Sequence, residues 1–306
     1  MSCYAAGYTG YAKIDGSTLP FLSGEVSESI NIITVPNIGT RTSRYFRNFT
    51  LGKRTYKCNL SFVLFKSYAS AVKNLLAKAT SYCAFGNGGG GIEFSPAGNT
   101  TYRIPGDSGS AVVANLSLSS SAGEPIQGSV SVDATSWSEI PASNGSLVFE
   151  TAGLNDDNNF LPWYDVSLVI SDFEDSNLVN NYTDSWSLTL QNEIFPLFTL
   201  CNTGSAGTGL NSSSADKLQA RTAKALRYGM MTVTGELKYW SPTGDFKNPT
   251  DGASITLDFG SFNVVLHNLV FTNDSVPNTG ANAPVLKTLQ FQALAGCEST
   301  PITVGE

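Results

Sequence analysis

The sequence predicts a mainly β protein made of two tandem antiparallel β-barrel or sandwich domains, each with about one short helix. Charged residues make up only 14% of the chain, whereas Ser, Thr, Asn and Gly are abundant. That composition is typical of short strands joined by polar turns. Several segments alternate apolar and polar residues, which is the period of a half-buried strand. The order of these segments also repeats once along the 306 residues.

Strands in the first half are predicted from this alternation. In residues 56–65, Tyr56, Cys58, Leu60 and Phe62 fall on one face, which gives the clearest strand. We expect further strands at residues 25–35, 92–94, 101–104, 111–118 and 127–134.

An amphipathic helix is predicted over residues 67–79, with Ser67 available as its cap. Its apolar stripe consists of Tyr68, Ala71, Val72, Leu75, Leu76 and Ala79. Before the strand at 56–65, residues 37–55 are rich in Arg, Thr, Asn and aromatics, and we expect an extended loop or arm there.

The second half repeats the pattern. Leu161-Pro162 echoes Leu19-Pro20, and each is followed by an alternating strand. Strands are predicted at residues 165–171, 185–190, 194–200, 231–240, 254–259, 263–271 and 285–294. A helical stripe is predicted at Ala215, Leu218, Thr222 and Leu226. We place the domains at residues 1–145 and 146–306, as a duplication, with convergence of two similar sandwiches as the alternative.

No catalytic, cofactor-binding or metal-binding residue is predicted, and the chain is not expected to be an enzyme. Gly106-Asp107-Ser108-Gly109 resembles the nucleophile segment of trypsin-like proteases, but His267, the one histidine, lies downstream of it. We therefore expect a hairpin turn at these residues. Gly88 to Gly91 is expected to be a hinge or a loop that lies close to another backbone. The five cysteines have no C-x-x-C spacing and are expected to be reduced and mostly buried.

Acidic clusters are the remaining candidates for chemistry. Asp156-Asp157 and the group Asp172, Glu174 and Asp175 could serve glycoside hydrolysis or calcium binding, but the EF-hand ligand spacing is missing. We expect solvated acidic loops, with the second group also a candidate for contacts between subunits.

A basic segment is the strongest candidate for binding. It consists of Arg41, Arg44, Arg47, Lys53, Arg54 and Lys57, interleaved with Tyr45, Phe46 and Phe49. Arginine and aromatic side chains together suit protein interfaces, so these residues are predicted to contact another subunit. A solvated loop and a single-stranded nucleic acid site are the alternatives.

The charge of the two halves is opposite. Residues 1–145 hold 11 basic and 8 acidic side chains, a net of +3, and residues 146–306 hold 7 and 17, a net of −10. The overall net charge of −7 argues against a general nucleic-acid grip. A head-to-tail contact would set the first half of one copy against the second half of the next. We therefore predict assembly with other copies of the chain.

These features together resemble the tail tube proteins of tailed bacteriophages. The resemblance lies in the strands after Leu19-Pro20 and Leu161-Pro162, the helix at 67–79 and the loop at 41–57, and it covers nearly the whole chain. It implies stacked homo-oligomeric rings in the virion tail, trimeric and mimicking a hexamer where the domain is duplicated. It also implies contacts with other tail proteins and transient passage of double-stranded DNA, helped by an acidic lumen.

Two other functional classes remain open. A tube initiator, terminator or baseplate hub protein would share the fold, and a carbohydrate-binding or hydrolytic β-protein would use the acidic loops. Residues 1–11 lack the pattern of a signal peptide, and no stretch has about 20 consecutive apolar residues. We therefore expect synthesis in the host bacterial cytoplasm and no membrane partner.

Overall fold

The computed structural model describes residues 11–35, 48–81, 85, 91–96, 100–106, 109–141, 161–198, 222–242, 245–276, 285–296 and 300–305. The first half contains nine strands: β1 (Tyr11–Ile14), β2 (Ser17–Leu19), β3 (Phe21–Val35), β4 (Asn48–Val63), β5 (Ile92–Ser95), β6 (Thr100–Ile104), β7 (Ala111–Ser121), β8 (Gln127–Ala134) and β9 (Ser138–Pro141). The second half contains eight: β10 (Ser167–Ile170), β11 (Thr183–Leu197), β12 (Ala225–Trp240), β13 (Ile255–Asp258), β14 (Asn263–Leu266), β15 (Leu269–Ser275), β16 (Leu286–Ala293) and β17 (Ile302–Gly305).

The strands form three antiparallel sheets. The largest has eight strands, in the order β15-β16-β12-β11-β7-β8-β4-β3, and therefore runs through both halves. A five-stranded sheet, β2-β1-β5-β6-β9, belongs to the first half, and a four-stranded sheet, β10-β13-β14-β17, belongs to the second. The prediction of a mainly β, antiparallel protein is confirmed.

The large sheet has one buried face, because its strands alternate in burial with period two. One row of paired residues crosses seven strands on that face, and its members are Phe62, Gly128, Leu118, Leu188, Gly235, Phe291 and Phe271. The small sheets cover this face: Phe94 of β5 packs edge-on against Phe21 of β3, with ring centroids 5.3 Å apart. In the second half Trp186 of β11 packs against Phe259, at 6.0 Å.

Two α-helices complete the described fold, α1 (Ala69–Thr80) and α2 (Ser176–Tyr182). Helix α1 buries the predicted stripe except for Tyr68, which is its N-cap residue and makes no side-chain capping bond. Ser67 is therefore not the cap: it lies inside a preceding 3-10 turn, Lys66–Tyr68. The helix packs against β1, β2, β7 and β17, so it contacts strands of both halves.

Three further predictions of local structure were wrong. Residues 185–190 and 194–197 belong to a single strand, β11. A β-bulge between Asn192 and Ile194 interrupts the alternation of apolar and polar residues, but β11 stays paired with β12 on both sides of the bulge. Thr222 forms an isolated bridge to Arg54 and Leu226 lies in β12, so neither is helical. Ala215 and Leu218 lie outside the described residues. Residues 48–55, expected in a loop, pair with β3 as the start of β4.

A fourth prediction was wrong at the end of the chain. Residues 263–271 form two strands in two different sheets, β14 and β15. The break falls at His267 and Asn268, and Asn268 has a φ of 50°. A left-handed residue turns the chain sharply, which lets it leave one sheet for the other.

The order of strands repeats between the halves. Four strands in the order β3-β4-β8-β7 continue into β11-β12-β16-β15, and the small sheets follow the same sequence of pairings except for β2. Strands β3 and β11 both have 15 residues, and β4 and β12 both have 16. Their bulges also coincide: Phe21/Ser23 and Ile30/Ile32 match Thr183/Ser185 and Asn192/Ile194.

Candidate functional site: a polar sheet face with two open edges

The second face of the large sheet is lined by small polar side chains. A row of directly paired residues crosses all eight strands, in the order Ser23, Ser61, Ser129, Ser117, Thr189, Thr234, Gln292 and Val270. The hydroxyls of Ser117 and Ser129 are 2.8 Å apart, so neighbouring members hydrogen-bond to each other. Such a surface offers many weak hydrogen-bonding groups and little apolar area.

Five charged side chains lie in the rows of described residues that pair across this face. Four of them form two pairs of opposite charge. The Lys57 ammonium lies 3.7 Å from the Asp133 carboxylate on the neighbouring strand. Lys238 lies 2.8 Å from Glu236, which also accepts a 2.8 Å hydrogen bond from Gln290. The fifth charge in these rows is Glu25, opposite Asn59. The face is therefore close to neutral among the described residues.

The carboxyl groups on this face differ in electrostatic environment. Burial raises the pKa of Asp133 above its usual 3.8, and the nearby Lys57 charge only partly opposes this. The hydrogen bond from Gln290, followed by that from Lys238, lowers the pKa of Glu236 below 4.5. These shifts reflect packing and pairing within the sheet.

The large sheet ends on two different strands, β3 and β15, each paired on one side only among the described residues. Leu22 and Ile32 on β3 are 62% and 58% exposed, and Val276, just after β15, is 48% exposed. Exposed strand edges with apolar side chains are ready to pair with another strand. These edges are the candidate interaction surfaces of the chain.

The two halves meet where β7 pairs with β11. The register sets Leu118 opposite Leu188 and Leu116 opposite Leu190, so the seam is apolar on its buried side. Asn192, in the β11 bulge, is buried and donates its amide N–H groups to the carbonyl oxygens of Ala79 and Val113, both at 3.0 Å. This side chain therefore ties the second half to α1 and β7.

The predicted basic segment is divided by the structure. Arg41, Arg44 and Arg47 lie outside the described residues, and so does the side chain of Phe49. Arg54 and Lys57 make ion pairs within the chain, to Glu28 at 2.8 Å and to Asp133 at 3.7 Å. The Lys53 ammonium lies 4.7 Å from the centre of the Phe198 ring of the second half. At least part of the segment therefore joins elements of its own chain.

The predicted acidic group is also divided. Asp172, at a φ of 52°, and Glu174 are exposed, whereas Asp175 is buried. Asp175 accepts hydrogen bonds from the Tyr239 hydroxyl at 3.0 Å and from the Lys247 backbone N–H at 2.7 Å. The expectation of a solvated loop is therefore wrong for Asp175, which fixes residues 245–250 to the core. Asp156 and Asp157 lie outside the described residues.

The hairpin predicted for the protease-like segment is wrong, because the strands on either side of it, β6 and β7, belong to different sheets. The Gly109 N–H donates to the Gly106 carbonyl at 3.1 Å. Asp107 and Ser108 themselves, and Gly88 to Gly90, lie outside the described residues. The ring of His267 lies 3.0 Å from the Thr303 hydroxyl, on the small sheet of the second half. The partner that this ring has is therefore a threonine of the second half and not a residue of the protease-like segment.

Two buried polar residues were missed at the sequence level. Lys287 is 1% exposed and donates from Nζ to the carbonyl of Lys247 and to Asn248. Asn192 is the other. A signal was present: Lys287 is in phase with Leu289 and Phe291, and Asn192 with Leu188 and Leu190, so each stands on the apolar side of its strand.

The described ranges contain neither a cluster that could hold a metal ion nor a helix that could span a membrane. No group of three or more His, Cys, Asp or Glu side chains there could hold a metal ion. No helix there is long and apolar enough to cross a membrane. Cys58 is buried, and burial raises the pKa of its thiol to about 12. The other four cysteines lie outside the described residues.

No protein-family model matches the chain, and no curated protein matches it either.

Proposed function

We propose that this chain is a non-enzymatic structural protein of a bacteriophage tail, whose copies join into rings that stack into a tube for double-stranded DNA. The observation that carries the proposal is the large sheet, in which the same four-strand order occurs twice, head to tail, and ends on two different open strands. Head-to-tail contacts, which join two different surfaces, generate rings or filaments, whereas contacts between two identical surfaces close into a dimer.

The open edge at β3 supports self-assembly. Soluble proteins protect long edge strands with proline, lysine or a covering element. Strand β3 has 15 residues without proline or lysine, carries Glu25, Glu28 and two bulges, and is paired on one side only in the described part of the chain. We infer that a strand of another copy covers it.

Two repeated units in each chain suit a trimeric ring that mimics a hexamer. Each unit supplies four strands to the large sheet. Three chains would then supply six similar units in one continuous sheet, with its apolar face covered by the small sheets. The units correspond to the domains proposed for residues 1–145 and 146–306. Each is a sandwich of one half of the large sheet with one small sheet.

The polar face is the surface that we place toward the channel. Hydroxyl and amide side chains dominate its rows, and Lys57 and Lys238 each lie beside a carboxylate. Cations gain affinity for DNA by neutralising phosphates and releasing counterions, so lysines paired with carboxylates hold DNA weakly. The channel face proposed here is nearly neutral, which differs from the acidic lumen that the resemblance implies.

Particle mass and electron microscopy of the purified chain test this function. We expect trimeric rings, and hollow tubes of stacked rings at high protein concentration. Discrete rings that never stack would favour an initiator, terminator or hub role in the same tail. A protein that stays monomeric at high concentration and low salt would contradict the proposal.

A further inference from the structure

We propose that neighbouring copies join by pairing β15 of one chain with β3 of the next, antiparallel, in the register that β7 and β11 adopt within the chain. The proposal rests on the proposed function only in that the chain assembles with its own copies. The partner is therefore a second copy of this chain, and the contact is head to tail.

Strands β3 and β11 occupy equivalent positions in the two repeats. The first pair of the β3–β4 hairpin, Phe21 with Phe62, corresponds to the first pair of the β11–β12 hairpin, Thr183 with Tyr239. The last pairs also correspond: Val35 with Asn48, and Leu197 with Ala225. The two bulges interrupt both hairpins at the same steps. Each residue of β3 therefore has a defined counterpart in β11.

Strands β15 and β7 also occupy equivalent positions in the two repeats. Both pair with eight-residue strands, β16 and β8, and a bulge interrupts both pairings at one step, Phe271/Asn273 and Val113/Asn115. Ser275 lies opposite the third residue of β16, and Ser117 lies opposite the third residue of β8. Ser275 is therefore the counterpart of Ser117.

Transferring the internal register to the open edges then gives specific pairs. The internal pair Leu118 and Leu188 corresponds to Val276 of one chain opposite Val26 of the next. The internal pair Ser117 and Thr189 corresponds to Ser275 opposite Ser27. In the same way, Asn115 with Gln191 becomes Asn273 with Ser29.

The side chains at these positions fit the pairing. Val276 is 48% exposed and would be covered on the buried side of the sheet by Val26, which is half-buried in the isolated chain. Ser275 and Ser27 would continue the row of small polar residues across the junction. Cross-strand pairs of matched character stabilise a sheet, so each face of the sheet would run unbroken from one chain to the next.

One pair of positions differs in character between the proposed contact of two chains and the β7–β11 pairing inside the chain. Leu116 opposite Leu190 becomes Asp274 opposite Glu28. This register sets two acidic residues at opposite positions, and on β3 the Arg54 guanidinium, with five donors, lies 2.8 Å from the Glu28 carboxylate. The counterpart of Arg54 is Met231, which faces Asn192 in the second hairpin. The contact between chains is therefore charged where the seam inside the chain is apolar.

Disulfide cross-linking tests the register. A chain with Ser27→Cys is mixed with one carrying Ser275→Cys, assembled and mildly oxidised, and the linked peptides are identified by mass spectrometry so that native cysteines do not contribute. We expect this pair to cross-link on the order of tenfold more than Ser27→Cys with Asn273→Cys. That control pair is two residues out of register, and its diagonal spacing of about 7–8 Å exceeds disulfide reach.

Rings that form while the in-register pair cross-links no better than the control would overturn the register and leave the proposed function standing. Strong linkage of Ser27→Cys with itself would overturn the head-to-tail contact. A chain that never leaves the monomeric state would overturn both the function and this inference.

A second set of variants tests the charged step. Arg54→Met is expected to weaken ring assembly on the order of tenfold or more, because it leaves Glu28 and Asp274 opposed without a shared cation. The triple variant Arg54→Met, Glu28→Leu and Asp274→Leu has the apolar pair that Leu116 and Leu190 form inside the chain, and it should restore assembly. Circular dichroism of the monomers checks folding, and unchanged ring affinity in Arg54→Met would overturn the charged junction.

Discussion

Two carboxyl groups on the polar face have pKa shifts of opposite sign, and the cause lies in their immediate contacts. Asp133 is partly buried, and this burial raises the pKa of Asp133, while the Lys57 ammonium at 3.7 Å only partly opposes the shift. Glu236 is well solvated and accepts two charge-stabilising hydrogen bonds, which lower its pKa. The same type of group therefore responds differently to pH at two points of one face.

The pH dependence of folding follows from these directions. Because the folded-state pKa of Asp133 is raised, its contribution to stability is greatest at acid pH and falls as the pH rises through that pKa. Asp133→Asn should therefore gain stability relative to the native chain as the pH rises above the ordinary carboxyl pKa of about 4. Urea denaturation across this range measures the free energy of unfolding.

Glu236→Gln should show a pH dependence of stability opposite to that of Asp133→Asn. The folded-state pKa of Glu236 is lowered, so its contribution is present at neutral pH and is lost as the pH falls. This variant should be less stable than the native chain at neutral pH and approach it at acid pH. Equal pH slopes in the two variants would contradict the assigned causes.

Within the strands, aromatic rings lie over glycines of the adjacent strand. Phe62 of β4 is paired with Gly128 of β8, and Phe291 of β16 with Gly235 of β12. A Cβ built on Gly128 would collide with the ring of Phe62, and one on Gly235 with the ring of Phe291. These glycines are required because the ring occupies the space of a side chain.

Gly128→Ala should destabilise the chain by about 1–3 kcal/mol, because the Phe62 ring must leave its rotamer or the strands must separate. Ser129→Ala, next to it on the polar face, is the matched control and should change stability little. Chemical denaturation measures both variants. In the double variant Gly128→Ala with Phe62→Leu, the smaller side chain makes room, so its cost should be below the sum of the single costs. Additive costs would contradict the steric explanation.

For the whole molecule, the arrangement of charge matters more than its sum. The net charge is −7, yet the paired rows of the polar face hold three acids and two bases among the described residues. If this face surrounds DNA, the carboxylates beside Lys57 and Lys238 prevent those lysines from holding phosphates.

Removing both carboxylates tests this role. Rings or tubes with Asp133→Asn and Glu236→Gln should bind linear double-stranded DNA on the order of tenfold more tightly at low salt, with a steeper salt dependence. The matched control is Asp245→Asn, which frees Lys247 on the segment attached to the buried face. Filter binding over a series of salt concentrations measures the difference. An equal effect in the control would indicate a general charge effect and contradict the channel assignment.

Sequence patterns predicted the strands better than their partners. The strand at Gln127–Ala134 was predicted at its observed bounds, and the core of β4 and most of α1 were also correct. Errors fell where the period was interrupted: at the bulge in β11 and at His267 and Asn268, where one apolar run divides between two sheets. Bulges and crossovers are set by contacts with other strands, which periodicity within a strand does not record.

By itself, the sequence determined the mainly β antiparallel class and the two-fold repetition of its pattern, because alternation and turn residues are local properties. Only the tertiary structure decided that β7 pairs with β11 to join the halves in one sheet, and that β3 and β15 remain as its open edges. It also decided that Asp175, Asn192 and Lys287 are buried. Strand neighbours are chosen by burial and hydrogen bonding between residues distant in the chain, so no window of the sequence contains them.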